Sequence, residues 1–463
     1  MNKLLNGLID ETNYKLTENG ATTHRTTKSN LLDMFAMGGA MRNRSEEDII
    51  LMFRKAFAEN QSYALKCLFY LRDILQGQGE RRFFRVCIND LAKTNPEAVK
   101  RNLELIPQYG RYDDLYALMD TPLEKDALDF FKKQITLDLT CETPSLLAKW
   151  LKSENTSSQK SRLLANKTRK HFGMTHKQYR KMLSLLRKKL NVLERLMSAG
   201  EWDKIEFDKI PSKAGLIYKN AFARHDIKKA YENFAKDKTK TVNTKALTPV
   251  DIAHQIFNNY SPSDIERAMW DKFWANQKDY YNGREEKGIA ICDVSGSMAG
   301  LPMEAAVSMS AYIAERGGGP FKDHFITFSN NPTLVKFEGI DIFDKFKRAL
   351  SADWGMSTNV EAAMDLLLKT AIKNNVPTSE MPSVLYIFSD MEFNRGMTSG
   401  TPTKCAWSRG LEMVSNPDTL FESIAKKWAV HGYELPRVIF WNLDVRHENI
   451  PALGGRFSYV SGF

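Results

Sequence analysis

The sequence predicts two domains, an all-helical repeat domain followed by an α/β domain built on a parallel sheet. Three observations support this prediction. The chain has 463 residues, which is enough for two or three domains. Apolar residues recur every three to four positions from Ser45 onward, and short β-rich runs alternate with helical segments after residue 288. We place the boundary in the turn "YYNGREEKG", which gives domains of residues 1–284 and 285–463.

The first domain consists of successive helix pairs. "SEEDIILMFRKAF" opens with a capping-type serine and aspartate, Ser45 and Asp48. Two helices separated by Gly77 and Gly79 follow in "SYALKCLFYLRDILQGQGERRFFRVCINDLAKT", and the helical period continues through "TPLEKDALDFFKKQITLDL". Stacked helix pairs without a strict sequence repeat are typical of α-solenoids. We therefore predict a HEAT-like repeat domain.

Five short apolar runs predict the strands of the second domain. They are "GIAICDV", "HFITFS", "SVLYIFS", "RVIFWNL" and "FSYVS", and the intervening helices are "MEAAVSMSAYIAER", "VEAAMDLLLKTAIKN" and "TLFESIAKKWAVHG". Continuous apolar strands that alternate with helices indicate a Rossmann-like parallel sheet covered on both faces. Ligands of such sheets bind outside the carboxyl ends of the strands.

Positive charge is concentrated in one stretch of the first domain. The chain carries a formal net charge of +10, and residues 149–189 contain thirteen lysines and arginines against a single acid, Glu154. A one-sided basic surface of this kind is typical of proteins that bind a polyanion such as RNA. The alternative is a solvated helix face that has no partner.

An amphipathic helix and an N-terminal segment supply the candidate RNA contacts. "MTHKQYRKMLSLLRKKLNVLERLM" begins with a capping box of Thr175 and Gln178. "TTHRTTKS" adds hydroxyls and cations near the N-terminus, which suit either contacts to the RNA backbone or ordinary capping of the helix at Asn30. The residues predicted to contact RNA are His24, Arg25, Lys28, Lys167, Arg169, Lys170, Lys177, Arg180, Lys181, Arg187, Lys188 and Lys189. Reversing Arg187, Lys188 and Lys189 to glutamate is expected to weaken RNA binding and to leave the fold intact.

Acid and hydroxyl side chains stand where two predicted strands end. Asp293, Ser295 and Ser297 occupy alternate positions in "ICDVSGSM", at the carboxyl edge of the sheet. Thr358 precedes a helix and Asp390 closes another strand, so both can add oxygens to the same loop cluster. Oxygen donors of this kind suit Mg²⁺ or another divalent cation. The spacing does not suit a serine hydrolase, which needs G-x-S-x-G.

This D-x-S-x-S … T … D pattern resembles the metal-ion-dependent adhesion site (MIDAS) of von Willebrand factor A (vWA) domains. The resemblance implies that both serines and the threonine contact Mg²⁺, and that the two aspartates act directly or through water. It also implies an open coordination position for a carboxylate of a protein partner. Trp354, close to Thr358 in sequence, is expected to line the cup. The chain ends at "SGF", where a further C-terminal helix is expected to cover the sheet.

Phrases along the whole chain resemble one family of proteins. Among them are "TENGATTHRTTKSNLLDMF", "LFYLRDILQGQGERRFF", "IPQYGRYDDLYAL", "IPSKAGLIYKNAFARHD" and "YVSGF". Together they are similar to an uncharacterised family of cytosolic plant, fungal and viral proteins related to the Ro/TROVE proteins. The resemblance implies a helical-repeat domain that forms a ring, a vWA domain, and binding of small structured or misfolded RNAs.

The sequence therefore favours a non-enzymatic RNA-binding protein whose Mg²⁺-binding vWA domain contacts a partner. One alternative is a metal-dependent protein-interaction module that binds no RNA. A metal-dependent nuclease is less favoured, because only one cation site is visible.

Composition argues against membrane and secreted classes of protein. No apolar run reaches the roughly 18–20 residues of a membrane span, and acids interrupt the N-terminal segment where a signal peptide would be apolar. The five cysteines lack CxxC spacing, which argues for reduced thiols and against a zinc ribbon. We expect a cytoplasmic protein.

Overall fold

The computed structural model describes residues 12–190, 192–226, 229–328, 330–351, 357–395 and 418–463. The chain divides into two compact units. Unit 1 comprises residues 1–45, 55–61 and 244–463, and unit 2 comprises residues 46–54 and 62–243. Trp354, which was expected to line the cation cup, lies outside the described residues. Within them, no helix is both long and apolar enough to cross a membrane.

The elements are numbered in chain order. The strands are β1 (Tyr14–Leu16), β2 (Thr22–His24), β3 (Gly288–Asp293), β4 (His324–Phe328), β5 (Thr333–Lys336), β6 (Val384–Ser389), β7 (Arg437–Asn442) and β8 (Phe457–Ser461). The α-helices are α1 (Asn30–Met37), α2 (Glu46–Glu59), α3 (Gln61–Arg72), α4 (Arg81–Thr94), α5 (Pro96–Arg101), α6 (Leu105–Tyr109), α7 (Glu124–Thr140), α8 (Leu147–Trp150), α9 (Gln159–Phe172), α10 (His176–Lys189), α11 (Leu193–Ser198), α12 (Ser212–Ile217), α13 (Lys219–Arg224), α14 (Ala230–Lys236), α15 (Pro249–Phe257), α16 (Asp264–Ala275), α17 (Leu301–Arg316), α18 (Ile342–Leu350), α19 (Val360–Lys373) and α20 (Leu420–Val430).

Unit 1 is built on a six-stranded sheet with the order β5-β4-β3-β6-β7-β8. All neighbours are parallel except β4 and β5, which are antiparallel. The five predicted strands are therefore confirmed as a mainly parallel sheet. The order reverses between β3 and β6, because the chain leaves β3 toward β5 and later returns to continue from β6 toward β8.

Helices cover both faces of this sheet. Ile289 and Ile291 of β3 belong to a buried apolar cluster that includes Met364 of α19 and Phe421 of α20. Because side chains alternate along a strand, Ala290 and its β3 neighbours of the same parity point to the opposite face. There α17 packs on β3, β4 and β6, and α15 packs on α17. The prediction of a sheet covered on both faces is confirmed.

The N-terminal segment also belongs to unit 1. β1 and β2 form an antiparallel hairpin, and α1 packs against β8. The backbone N–H of Gly39 donates to Ser461 Oγ over 3.0 Å, and that hydroxyl donates to the carbonyl of Phe35 over 3.1 Å. α1 therefore covers β8.

The compact units differ from the domain limits predicted at residues 284 and 285. The hairpin, α1, α15 and α16 fall within the predicted helical domain, but they group with the sheet in unit 1. The physical reason is packing: α15 lies on α17, and α16 lies on α18. Helical periodicity in the sequence indicates that a segment is a helix. It does not indicate against which hydrophobic core the apolar face of that helix packs.

Unit 2 is helical in its described residues, as predicted. Its helices pack mainly on their neighbours in sequence, with α4 on α5, α7 on α8 and α9, and α8 on α10. Large buried side chains such as Phe83, Phe84, Phe131 and Tyr179 form its core. Beyond α10 the helices are short, so the regular helix pairs end there.

Candidate functional site

The acid and hydroxyl cluster lies at the point where the strand order of the sheet reverses. β3 and β6 are parallel neighbours, with Cys292 paired to Phe388. Asp293 is the last residue of β3, Ser389 is the last residue of β6, and Asp390 follows directly. This edge is the usual ligand-binding position of a doubly wound sheet.

Hydrogen bonds fix the first part of the cluster. Asp293 Oδ1 accepts the backbone N–H of Ser295 over 2.9 Å, and Asp293 Oδ2 accepts the hydroxyl of Ser389 over 2.6 Å. The hydroxyls of Ser295 and Ser297 lie 3.0 Å apart. Asp293 and Ser295 are buried, whereas Ser297 is partly exposed, so the cluster opens to solvent at Ser297.

Asp390 is fully buried beside this group. Its Oδ1 accepts the backbone N–H of Glu392 over 3.1 Å. Its Oδ2 accepts no hydrogen bond among the described residues, and Arg446 Nε lies 3.9 Å from it. Burial raises the pKa of the Asp293 carboxyl, and the charge of Asp390 raises it further. Burial also raises the pKa of Asp390. Two buried carboxylates that raise each other's energy fit a site for a cation.

Thr358 is held to this loop by the N-terminal hairpin. The carbonyl of Thr358 accepts the backbone N–H of Asn394 over 3.0 Å. The Asn19 side-chain amide donates to the carbonyl of Glu392 over 2.6 Å and lies 3.5 Å from Thr358 Oγ1. The structure thus brings Asp293, Ser295, Ser297 and Asp390 together, and it joins Thr358 to the loop that follows β6.

Three residues of this cluster were missed from the sequence. Ser389 could have been noticed because it precedes Asp390 at a strand end. Arg446 follows β7 in the polar run "LDVRHEN", and the position after a parallel strand is itself a signal. Asn19 gave no signal, because it reaches the site through tertiary packing of a distant hairpin.

A second group of ligand-type atoms lies next to the cluster. Oxygen or nitrogen atoms of Glu18, Glu392 and His447 lie within 4.8 Å of one another. The buried Glu392 carboxylate already accepts hydrogen bonds from the Glu18 backbone, from the Asn449 amide and at His447 Nδ1. These bonds explain the grouping without an ion.

The predicted RNA residues of unit 2 fall into two groups. Four have partners within the chain. Lys167 pairs with Asp120 and Glu124, and Arg169 pairs with Glu154. Lys189 donates to two backbone carbonyls, and Arg187 donates to three acceptors. The exposed members that make no ion pair among the described residues are Lys170, Lys177, Arg180, Lys181 and Lys188.

Four of these exposed cations form one stripe on α10. Lys177, Arg180, Lys181 and Lys188 are spaced by three, one and seven residues, which places them on a single helix face. We call this set the α10 stripe. The opposite face, with Tyr179 and Leu186 among its residues, is buried. A groove of about 690 Å³ adjoins the stripe.

Arg187 has a structural role in unit 2. Its guanidinium donates to the carbonyls of Ala148 and Leu151 and to Ser153 Oγ over 2.9–3.0 Å. Burial lowers its pKa. The expectation that its reversal to glutamate leaves the fold intact is therefore at odds with the structure, since a partly buried carboxylate would face two carbonyls.

Arg187→Ala is expected to lower the free energy of unfolding by about 2–3 kcal/mol, because hydrogen bonds from a charged group are lost and two buried carbonyls are left unpaired. Denaturant unfolding followed by circular dichroism measures this effect. The matched control is Lys188→Ala, which removes an exposed neighbour and should change stability by less than about 0.5 kcal/mol. Equal stability of the two variants would contradict this role of Arg187.

The N-terminal candidates divide in a similar way. His24 is buried, with Nε2 3.5 Å from Glu422 and its ring against that of Tyr14. It is therefore not available to RNA in this structure. Arg25 and Lys28 are exposed, and Lys28 has a positive φ of 71° in the turn before α1.

Fold and site together define a class of protein: a helical region joined to a doubly wound sheet domain with an acid and hydroxyl cluster at its switch point. The model of a family described as domain of unknown function DUF2828 matches residues 17–171 and 134–284, and the model of another, DUF7788, matches residues 287–463. The chain belongs to the DUF2828 family. The matched ranges meet between residues 284 and 287.

A curated relative comes from a virus. The uncharacterized protein L728 of Acanthamoeba polyphaga mimivirus is 32% identical over 497 residues, covering 97% of this chain and 83% of the relative. The viral part of the resemblance is therefore confirmed. Among solved structures, the Ro (RSR) protein of Deinococcus radiodurans aligns over 95% of this chain and 97% of its own, at 13% identity and a TM-score of 0.36.

Proposed function

We propose that the protein binds RNA through the α10 stripe and carries out no catalysis. The observation that supports this proposal is a set of four exposed cations on one helix face with no ion pair among the described residues. Cations of an ordinary solvated helix commonly alternate with acids at neighbouring turns, as the pair of Lys236 and Glu232 does on α14. A stripe without acids favours contacts to phosphates.

Unit 1 is proposed to hold a divalent cation, Mg²⁺ being the first candidate. Asp293, Ser295, Ser297, Thr358 and Asp390 would hold it. The buried Asp390 Oδ2, which accepts no hydrogen bond from the part of the chain that the structure describes, supports this assignment. A bound cation would supply a positive charge that can attract a carboxylate at the edge open to solvent. On this proposal unit 1 is a vWA domain with a MIDAS, and the helices of unit 2 belong to a HEAT-like, ring-forming domain related to Ro/TROVE proteins that binds small structured or misfolded RNAs in the cytoplasm.

Fluorescence anisotropy with a small structured RNA that has a single-stranded end tests RNA binding. For four phosphate contacts the logarithm of the affinity should fall with the logarithm of the salt concentration with a slope of about −3. The comparison of Mg²⁺ with EDTA uses an unstructured single-stranded RNA instead. The affinity of the protein for that strand should be the same in Mg²⁺ and in EDTA. Absence of binding at about 50 mM salt would contradict the proposal.

A second candidate function is a metal-dependent protein interaction. The partial exposure of Ser297, beside the buried Asp293 and Ser295, favours it, because a partner's carboxylate has access from that side. On this alternative the main interaction of the protein is lost with EDTA and is insensitive to changes in the α10 stripe.

A further inference from the structure

A cluster of cations in unit 2 is distinct from the α10 stripe. Arg72 lies at the end of α3, and Arg81 and Arg85 lie on the first turns of α4. Arg111 precedes the 3₁₀ helix Tyr112–Leu118, and Lys152 follows α8. These five residues are named the arginine cluster. Arg72 and Arg81 stand in the phrase "LRDILQGQGERR" and Arg111 stands in "YGRYDD", and the proposed function gives neither phrase a role.

Two buried carboxylates hold the cluster together. Asp114 accepts Arg72 Nε over 2.8 Å and Arg85 Nε over 2.6 Å. Asp113 contacts Arg85, Arg111 and Lys152 over 3.0–3.4 Å. Five cationic side chains thus surround two carboxylates, which leaves a formal excess of three positive charges.

The carboxylates of the two acids nearest in sequence bind backbone N–H groups, and among the described residues they form no ion pair with the cluster. Asp73 Oδ1 accepts the backbone N–H groups of residues 75 and 76, and Glu80 Oε1 accepts those of residues 82 and 83 as the cap of α4. Arg81 makes no ion pair among the described residues.

The cluster also has a buried donor that lacks an acceptor. Arg72 is 1% exposed, and its Nη1 has no hydrogen-bond partner among the described residues. In the loop between α3 and α4, both terminal amide atoms of the Gln78 side chain are buried and have no hydrogen-bond partner within the described ranges. An unsatisfied buried guanidinium N–H is costly, and an anion would satisfy it.

Two glycines near the cluster lie so close to neighbouring atoms that a larger residue would not fit there. A Cβ at Gly77 would lie 1.8 Å from the carbonyl oxygen of Tyr70, and a Cβ at Gly110 would lie 2.4 Å from Asp114 Oδ2. The Arg111 guanidinium stacks on the indole of Trp150 at 4.0 Å. These contacts hold the arginines in position before any ligand arrives, and preorganised donors bind anions more tightly. Arg81 is exposed, and Arg85 and Arg111 are partly exposed, so the cluster is open to solvent.

We infer that the arginine cluster is a binding site for a phosphate monoester, with Arg81 as its exposed donor and Arg72 Nη1 as a buried donor that lacks an acceptor among the described residues. The excess of positive charge favours a doubly charged oxyanion, and guanidinium groups match phosphate oxygens in pairs. The phosphate can belong to the end of an RNA strand or to a free nucleotide. A network that serves only the fold would need Arg72, Arg85 and Arg111, and it would not need Arg81.

Isothermal titration of the full chain with inorganic phosphate, against chloride at matched ionic strength, tests the site. We expect phosphate to bind, and Arg81→Gln to weaken it at least roughly tenfold, as loss of one charge-assisted hydrogen bond does. Arg81→Lys should retain part of the affinity. The control is Lys93→Gln, which removes an exposed cation about 18 Å along the same helix and should leave phosphate binding unchanged.

Two further titrations identify the source of the phosphate. A 5′-phosphorylated oligoribonucleotide that binds more tightly than its 5′-hydroxyl counterpart, with the difference lost in Arg81→Gln, supports the site and assigns it to RNA ends. Binding of phosphate and of adenosine monophosphate, with no difference between the two oligonucleotides, supports the site and assigns it to a small molecule. No phosphate binding by the unaltered protein, or equal binding by Arg81→Gln, would overturn the inference. None of these outcomes depends on RNA binding by the α10 stripe.

Discussion

Asp390→Asn is expected to abolish stabilisation of the protein by Mg²⁺ and, at the same time, to raise the melting temperature of the cation-free protein. The two effects have one cause. Asp293 and Asp390 are buried carboxylates at the same edge of the sheet. Ionising one of them costs less free energy when the other is neutral, because the repulsion between the two negative charges is then absent. Asparagine has nearly the same shape and keeps an oxygen for the Glu392 backbone N–H, so the loop should persist.

The size of each effect can be estimated. Without cation, relief of the repulsion should stabilise unit 1 by about 1 kcal/mol, or roughly 2–4 °C in melting temperature for a unit of this size. With cation at about a hundred times its dissociation constant, the unaltered protein should gain about 2.7 kcal/mol, and Asp390→Asn should gain almost none. Thermal unfolding in EDTA and in MgCl₂ measures both, and Mn²⁺ titration gives the affinity directly.

Asp390→Asn is expected to raise the melting temperature without cation and to lose the stabilisation by Mg²⁺. These opposite effects distinguish a cation-binding role of Asp390 from a structural role. If Asp390 only supported the fold, its replacement would lower the melting temperature in EDTA. Glu380→Gln is the matched control, since it neutralises an exposed acid of unit 1 and should alter neither quantity. A protein that Mg²⁺ does not stabilise, or an Asp390→Asn variant that keeps its Mn²⁺ affinity, would refute the cation site.

Much of unit 1 was predictable because its signals are local. Each of the five predicted strands is a continuous apolar run, and Asp293 and Asp390 stand directly at the ends of two of them. The position of a polar residue after a buried strand is enough to place it at the carboxyl edge. The antiparallel β5 was missed, because four residues at a sheet edge carry little periodicity.

The remainder could not be predicted because it depends on contacts between distant parts of the chain. Asn19 lies more than three hundred residues before Thr358, and nothing in "LTENGA" indicates that its turn meets the loop after β6. The same holds for α1, whose packing on β8 depends on residues 35 and 461. The basic stretch of residues 149–189 could be predicted only in part, for a different reason. Composition identifies an excess of arginine and lysine, but it does not show which of these side chains are exposed. Lys188 is exposed, whereas its neighbour Arg187 donates hydrogen bonds to residues 148 and 153.

Reversal of the whole α10 stripe should abolish most RNA binding while the fold persists. The variant replaces Lys177, Arg180, Lys181 and Lys188 with glutamate. All four side chains are exposed and make no ion pair among the described residues, so their reversal breaks no internal ion pair there. Loss of four phosphate contacts should weaken binding to single-stranded RNA at least about 100-fold near 100 mM salt and should reduce the salt slope by about 3. Fluorescence anisotropy over a salt series measures both.

A charge-matched variant decides whether position or net charge causes the loss. Lys93, Lys125, Lys132 and Lys133 are also exposed cations of unit 2, and reversing them changes the net charge by the same amount. If RNA follows the α10 stripe, this control should lose only a few-fold in affinity through the long-range field, which salt screens. Equal losses in the two variants would mean that RNA is held by the overall charge of the protein and that the stripe is a solvated helix face. Loss in the stripe variant alone, with unchanged melting of both proteins, would assign the interface to α10, because position is then the only difference between them.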